Sequence, residues 1–270
     1  MTPGALLLVL GSALLHVGWN AAVRSRTGHP RFVWLLTVGA GLVGCVVSGP
    51  SLWSPALWRA WPYIAATVVL NGAYFVALGQ AYARAELSWV YPVSRGLAVV
   101  VVAALGLVLL RQHLPPVAWL GLALLVAGLL GMRPVDRGAM GWSLLLGGLI
   151  AGYSLVDSQA VRGAPALPYA ALEFVGSALA LAPTALRAPA FAPGSVWWVA
   201  LVAGGASYAS YLLLLFAYRL APVGPVLAVR QIAPSLAALV GALLLHERIG
   251  WRQAAATLII VGGTVLLALP

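Results

Sequence analysis

The sequence predicts an all-α polytopic membrane protein, with ten transmembrane helices in two inverted five-helix repeats. Three observations carry this expectation. Of the 270 residues, 63% are hydrophobic and only 7% charged, too few charges to cover a water-facing surface. The apolar residues recur in runs of about 18–22, each long enough to cross a ~30 Å hydrocarbon core as helix. Features of the first half also return, weakly, in the second half.

Ten segments follow from the apolar runs: 4–23, 32–49, 62–82, 89–110, 116–131, 141–160, 169–186, 196–217, 223–245 and 251–268. The first follows Met-Thr-Pro-Gly without a positive leader or a convincing small-x-small cleavage site, so it reads as a retained helix. Its Gly4, Gly11 and Gly18 recur every seven residues, a narrow stripe for close helix contact. Its His16, Trp19 and Asn20 share a face. The second segment holds Cys45, the single cysteine, with no disulfide partner and no metal or redox motif around it. Asn71, Tyr74 and Gln80 give the third segment hydrogen-bonding capacity, and Pro92 and Arg95 interrupt the fourth. In the sixth, Gly148 and Gly152 make a second small face beside a polar face of Tyr153, Ser154, Asp157 and Ser158. Glu173 opens the seventh, and Ser207, Tyr208 and Tyr211 mark the eighth. In the ninth, Pro222 and Pro225 fit a helix start. Pro234 has no amide to donate, so it should release the carbonyl of Arg230 from the helical ladder. The fifth and tenth segments are nearly featureless and read as peripheral, lipid-facing or a packing or homodimer surface. Trp34, Trp61, Trp89, Trp119, Trp142, Trp197, Trp198 and Trp251 fall near segment ends, where indoles settle at the membrane interface.

Shifting the chain by 136 places Ala81-Tyr82 on Ala217-Tyr218, Val93 on Val229 and Asn71 on Ser207, and one residue of slippage brings Arg95 to Arg230. A shift of 134 places Gly18-Trp19-Asn20 on Gly152-Tyr153-Ser154. These matches divide the chain into units at 1–135 and 136–270. With five helices per unit the second inserts upside down, a construction common among secondary transporters.

All 15 basic residues are arginine, against 5 acidic residues. No basic cluster or stacking platform accompanies the net charge of +10, which argues against a nucleic-acid partner. The side opposite the N-terminus, side B, carries Arg24, Arg26, Arg31, Arg84, Arg133, Arg137, Arg187, Arg248 and Arg252. The N-terminal side, side A, carries Arg59, Arg111, Arg162 and Arg219. The positive-inside rule then puts side B in the cytoplasm and both termini outside.

Arg95 and Arg230 remain inside apolar runs, where an arginine costs at least ~3 kcal/mol and usually faces a polar cavity. Inverted symmetry predicts two polar layers at opposite depths: His16, Asn20 and Arg95 in one, and Asp157, Glu173 and Arg230 in the other. The candidates for substrate binding or gating are His16, Trp19, Asn20, Asn71, Tyr74, Arg95, Tyr153, Ser154, Ser207, Tyr208, Tyr211 and Arg230. Asp157 leads as a protonatable coupling group, with Glu173 and His16 behind it. Each has a blander reading. Arg230 could only neutralise a carboxylate, Glu173 could sit solvated at the interface, and His16 and the hydroxyls could only join helices. No metal-ligand cluster and no cofactor motif is present.

Leu15-His16-Val17-Gly18-Trp19-Asn20 and Gly152-Tyr153-Ser154-Leu155-Val156-Asp157, the two Ala-Tyr pairs, and His246-Glu247-Arg248 after the ninth segment together resemble an EamA-type member of the drug/metabolite transporter superfamily. The first half has Arg111-Gln112-His113 where a Glu would be typical. The resemblance implies two inverted EamA units, a cavity lined by segments 1, 3, 4, 6, 8 and 9, and alternating access for export or exchange of small metabolites. It also implies cytoplasmic termini, against the arginine count. Small four-helix relatives couple to protons through a carboxylate in their first helix, and none stands there in this sequence.

The expectation is a secondary transporter of a small-molecule substrate in the plasma (inner) membrane, coupled to a proton or an ion. A flippase for a lipid or lipid-linked headgroup is the alternative. A remote third reading is an intramembrane hydrolase: Gly205-Ala206-Ser207-Tyr208 fits a loose Gly-x-Ser pattern, with His16 or His246 as its base.

Overall fold

The computed structural model describes residues 1–109, 115–132, 136–189 and 195–267. Among these, twelve α-helices and two 3₁₀ turns form the chain. They are α1 (Pro3–Ser25), α2 (Pro30–Ser48), α3 (Pro55–Arg59), α4 (Trp61–Tyr82), α5 (Leu87–Leu109), α6 (Pro116–Gly131), α7 (Arg137–Ala160), α8 (Ala166–Arg187), α9 (Ser195–Leu220), α10 (Val223–Val229), α11 (Ala233–Leu244) and α12 (Trp251–Leu267). Eight stretches are long and apolar enough to cross a membrane, and α10 with α11 counts as one of them. The shorter apolar helices α6 and α12 pack on each other. The chain is a multi-pass helical membrane protein.

Local chemistry sets the helix ends. Thr2 caps α1 by accepting from the Ala5 amide at 3.3 Å, and Pro3 fills the first turn. Asp136 caps α7 through the Ala139 amide at 3.1 Å. Proline also opens α2, α3 and α6. Gly28 turns α1 into α2 at φ +65°, and an added Cβ there would lie 2.1 Å from the Gly79 carbonyl oxygen.

α10 and α11 form one interrupted span. The chain tightens into a 3₁₀ turn at Arg230–Ile232, one turn before Pro234. The Arg230 carbonyl is therefore not left free, because the Ala233 amide donates to it. Losing the proline's donor shortens the ladder by one step and leaves no open acceptor.

The interior joins α1 to α9, α2 to α8 and α9, α4 to α7 and α8, α5 to α7 and α11, and α6 to α12. Ser12 and Ser210 donate to each other's carbonyls at 2.7 and 2.8 Å, stitching α1 to α9. Trp34 Nε1 donates to the Ala178 carbonyl at 3.0 Å, so this half-buried indole joins α2 to α8 near the start of α2. Trp89 is buried, while Trp61, Trp119, Trp197, Trp198 and Trp251 are exposed as expected of interfacial anchors.

The stripe of Gly4, Gly11 and Gly18 does not make close contact. A Cβ added at Gly4 or Gly18 would meet nothing within 4 Å, and one at Gly11 would meet only a flexible Leu213 methyl. Gly148 is equally open, and Gly152 faces only Leu70 methyls. Close approach falls to other glycines. A Cβ at Gly44 would lie 2.7 Å from Tyr208 and 3.0 Å from the Ala171 backbone. One at Gly204 would meet the Leu36 carbonyl at 2.5 Å, and Gly121 and Gly263 each face the other's carbonyl at 2.6 Å. Spacing permits contact, but the facing helix decides which small residues are used.

Candidate functional site

The polar candidates form two centres. In the first, the Arg95 guanidinium contacts His16 Nε2 and lies over the Tyr91 ring at 5.5 Å. His16 meets Trp19 edge-on, with ring centroids 4.6 Å apart. Asn20 Nδ2 donates to the His16 carbonyl at 2.7 Å, and the Tyr82 hydroxyl donates to Asn20 Oδ1 at 2.7 Å. The expected grouping of His16, Asn20 and Arg95 is present, with Tyr82 and Tyr91 completing it.

The second centre is built on Asp157, which is fully buried. Its Oδ1 accepts from Thr67 and Tyr169, each at 2.8 Å, and its Oδ2 accepts from Tyr211 at 2.7 Å. Asn71 Nδ2 donates to Thr67 Oγ1 at 2.9 Å and extends the network along α4. Thr67 and Tyr169 lie outside the expected set. Their positions carry no distinctive pattern, since one hydroxyl in an apolar helix does not announce its acceptor.

Arg230 departs from expectation. Among the described residues it pairs with neither Asp157 nor Glu173; the ion pair present there is Arg24–Glu247. It joins the Arg95 centre instead. Gln231 Nε2 donates to the Arg95 carbonyl at 3.0 Å, and both guanidiniums act electrostatically on His16, Tyr74 and Tyr91. Separation into opposite layers fails because α5 and α11 pack together with both arginines near the middles of their spans. At about 1.5 Å per residue, each backbone is displaced only roughly 5 Å from the centre of its span, within reach of an arginine side chain.

Between the centres lies a narrow cavity of about 20 Å³, room for about one water. His16, Trp19, Asn71, Tyr74, Tyr153, Glu173, Ser207, Tyr211 and Arg230 line it, and Phe75 and Phe174, outside the expected set, complete its rings. The walls come from α1, α4, α7, α8, α9 and the 3₁₀ turn. The seventh segment, α8, thus lines the cavity where the resemblance implied the fourth. Asn20, Arg95, Ser154 and Asp157 are buried but do not line it. Tyr208 turns away, donating to the Leu167 carbonyl at 3.1 Å.

Glu173, 1% exposed, accepts from Ser177 at 2.9 Å, so it is buried and not solvated at an interface. Arg95 Nη1, Arg230 Nε and the Gln231 side-chain carbonyl oxygen are buried without a hydrogen-bond partner. Ser207 shares the cavity with His16, whose Nε2 faces Arg95. No group of metal-ligating side chains is found among the described residues.

A third ionic site lies toward side B. The Glu247 carboxylate accepts from the Leu87 and Ser88 amides at 2.8 and 2.9 Å, capping α5, and from Arg24 Nε at 3.3 Å. Arg24 Nη1 also donates to the Tyr82 carbonyl at 3.3 Å. Gly241 leaves room for the acid, since a Cβ there would lie 2.5 Å from Glu247 Oε2. Burial, then the neighbouring Glu247, push the nearby Glu86 carboxyl upward, while Arg24 pulls it back. The corresponding first-half positions, Arg111-Gln112-His113, lie outside the described residues, as does Arg133.

Long apolar helices around a buried polar cavity define the class, a polytopic membrane protein with an internal polar site. Residues 138–269, just under half of the chain, match the EamA-like transporter family. No curated protein matches the sequence. A solved structure described as "Crystal structure of protein" is similar in fold, with a TM-score of 0.70 and 22% identity over 98% of this chain and 96% of its own.

Proposed function

We propose that the chain is a secondary active transporter, an exporter or exchanger of small metabolites, which alternates access between two inverted five-helix repeats at residues 1–135 and 136–270. The observation that carries this reading is the cavity: residues from both halves line it, and one of them, Arg230, presents a buried donor without a partner. Helix neighbours support the inverted repeat. Exchanging each span for the one five spans away turns α1–α9 into α7–α4, α2–α9 into α8–α4, and α5–α7 into α11–α1. The pairs α2–α8, α5–α11 and α6–α12 map onto themselves. The family match opening at residue 138 fits the same division. Ten spans follow if α6 and α12, each roughly 25 Å long at 1.5 Å per residue, also cross.

A cavity this small must widen to admit a metabolite, which suits a state closed on both sides. The Arg24–Glu247 contact serves as the side-B closure. Glu173 is preferred to Asp157 as the coupling group. It faces the cavity with one hydroxyl partner, whereas both Asp157 oxygens are held by hydroxyls. The arginine bias supports an orientation with side B in the cytoplasm, and the plasma (inner) membrane is the membrane this reading assigns. Charged groups on separate cavity walls favour a small polar substrate over a lipid.

Counterflow in proteoliposomes, driven by preloaded metabolite mixtures, tests the reading. Uptake by the unaltered protein, lost in a folded Arg230→Gln variant, is the expected result. Uptake that survives the substitution removes this cavity as the route.

A further inference from the structure

On side B, α2 begins, α8 ends and α9 begins, and α2 packs on both of the others. Where these three ends meet lies a groove of about 260 Å³. Trp34 and Leu35 from α2, Leu186 from α8, and Val196 and Trp197 from α9 give it apolar walls, and Arg31 stands in the same lining. Leu186 and Trp197 are exposed, so the groove opens outward from the helices toward the bilayer. Its residues belong to the first two turns of α2, the last turn of α8 and the first turn of α9. That is the depth at which headgroups give way to acyl chains and indoles settle. The groove shares no lining residue with the central cavity.

Charge at the groove is of one sign. Arg31 Nε donates to the Ala185 carbonyl at 3.1 Å, and an Nη donates to the Leu186 carbonyl at 3.5 Å. Both are last-turn carbonyls of α8, so part of this guanidinium closes the helix end. These bonds occupy two of the five N–H donors of an arginine and leave its charge unneutralised. Arg187, the residue after Leu186, is exposed. The acidic residues of the chain are Glu86, Asp136, Asp157, Glu173 and Glu247, and none lines the groove. Glu173 shares α8 with Arg187 but stands roughly 21 Å from it along the helix at 1.5 Å per residue. Among the described residues, neither Arg31 nor Arg187 has a carboxylate partner. Cations beside an apolar slot at the membrane interface complement an amphiphile with an anionic head and a hydrocarbon tail.

We propose that this groove is a binding site for an anionic phospholipid of the side-B leaflet. The phosphate meets Arg31 and Arg187, and one acyl chain lies among Trp34, Leu35, Val196 and Trp197. A soluble phosphate compound gains the arginines but leaves the apolar walls unused. A zwitterionic lipid sets its own ammonium among arginines that have no carboxylate near them. The lipid is a resident ligand that ties the side-B ends of α2, α8 and α9 together, and it is not cargo. The site stands whether or not the chain transports.

The test is native mass spectrometry of the purified, delipidated full-length protein, titrated with phosphatidylglycerol or phosphatidylcholine of identical acyl chains. The first phosphatidylglycerol should bind about 10-fold or more tightly than the first phosphatidylcholine. Arg31→Gln combined with Arg187→Gln should bring the two lipids within about 2-fold of each other. Arg248→Gln combined with Arg252→Gln removes the same charge elsewhere on side B and should leave the preference in place. Leu35→Trp fills the slot, keeps both charges and should weaken phosphatidylglycerol about 10-fold. Glycerophosphoglycerol, the headgroup without chains, should not displace the bound lipid. Equal affinity for the two lipids in the unaltered protein overturns the proposal, and that comparison needs no variant. An equal loss in the two arginine pairs also overturns it, by reducing the effect to general surface charge. Displacement by the chainless headgroup, or full affinity in Leu35→Trp, removes the acyl slot and the lipid with it.

Discussion

The two buried ionic centres solve the same problem in opposite ways. Asp157 is surrounded, with three hydroxyls from α4, α8 and α9 ending on its two oxygens. Arg95 and Arg230 share a packed region with His16 and several tyrosines but keep unpartnered nitrogens and no carboxylate. A satisfied network rigidifies, whereas a charge left open raises the free energy of the empty protein. The difference teaches that the acid centre ties three helices together, while the cation centre keeps guanidinium donors open.

The largest effect should come from Asp157→Ala. It strands three hydroxyls, and at roughly 1 kcal/mol or more per buried group without a partner the loss should reach about 3 kcal/mol. Thermal unfolding in detergent reads this, and a loss below about 1 kcal/mol would reverse the roles assigned to the two centres.

Arg230→Gln comes next. It removes an unpartnered buried charge, so the melting temperature should hold or rise while counterflow drops about 30-fold or more. A variant that loses both stability and flux would make the cation centre structural after all.

Glu247→Gln follows. It keeps the shape of the α5 cap but weakens charge-assisted bonds to two amides and Arg24, at a cost of about 1–2 kcal/mol. Labelling from side B of a cysteine introduced in place of Trp19, which lines the cavity, should increase in the same variant. The smallest effect on stability belongs to Glu173→Gln, under about 1 kcal/mol because a single hydroxyl bond is altered. Its effect on coupling should be large by contrast, read as loss of proton-driven exchange.

Much of the architecture was legible because apolar length and helix breakers are local properties. The segment read at 62–82 is a helix at Trp61–Tyr82, and the one at 116–131 matches α6 to the residue. Pro234 signalled the interruption of the ninth span, though not that the Ala233 amide would take up the Arg230 carbonyl. The site was legible as a set of residues but not as a set of partners. Arg230 and Asp157 are both unusual inside a membrane, and charge alone suggests pairing them. Packing of α5 on α11 sent Arg230 to Arg95, and Thr67 and Tyr169 took Asp157. Glu247 was visible as a motif residue, but its destination at the α5 N-terminus, about 160 positions away, depends on tertiary structure that no window of sequence contains.

The unpartnered guanidinium nitrogens have a practical consequence at the bench. A small anion that enters the cavity and meets these nitrogens would bind the folded chain and not the unfolded one, and so raise stability by mass action. The choice of counter-ion during purification therefore becomes an experimental variable. Chloride, nitrate and acetate at equal ionic strength should give different melting temperatures in the unaltered protein and converge in Arg230→Gln.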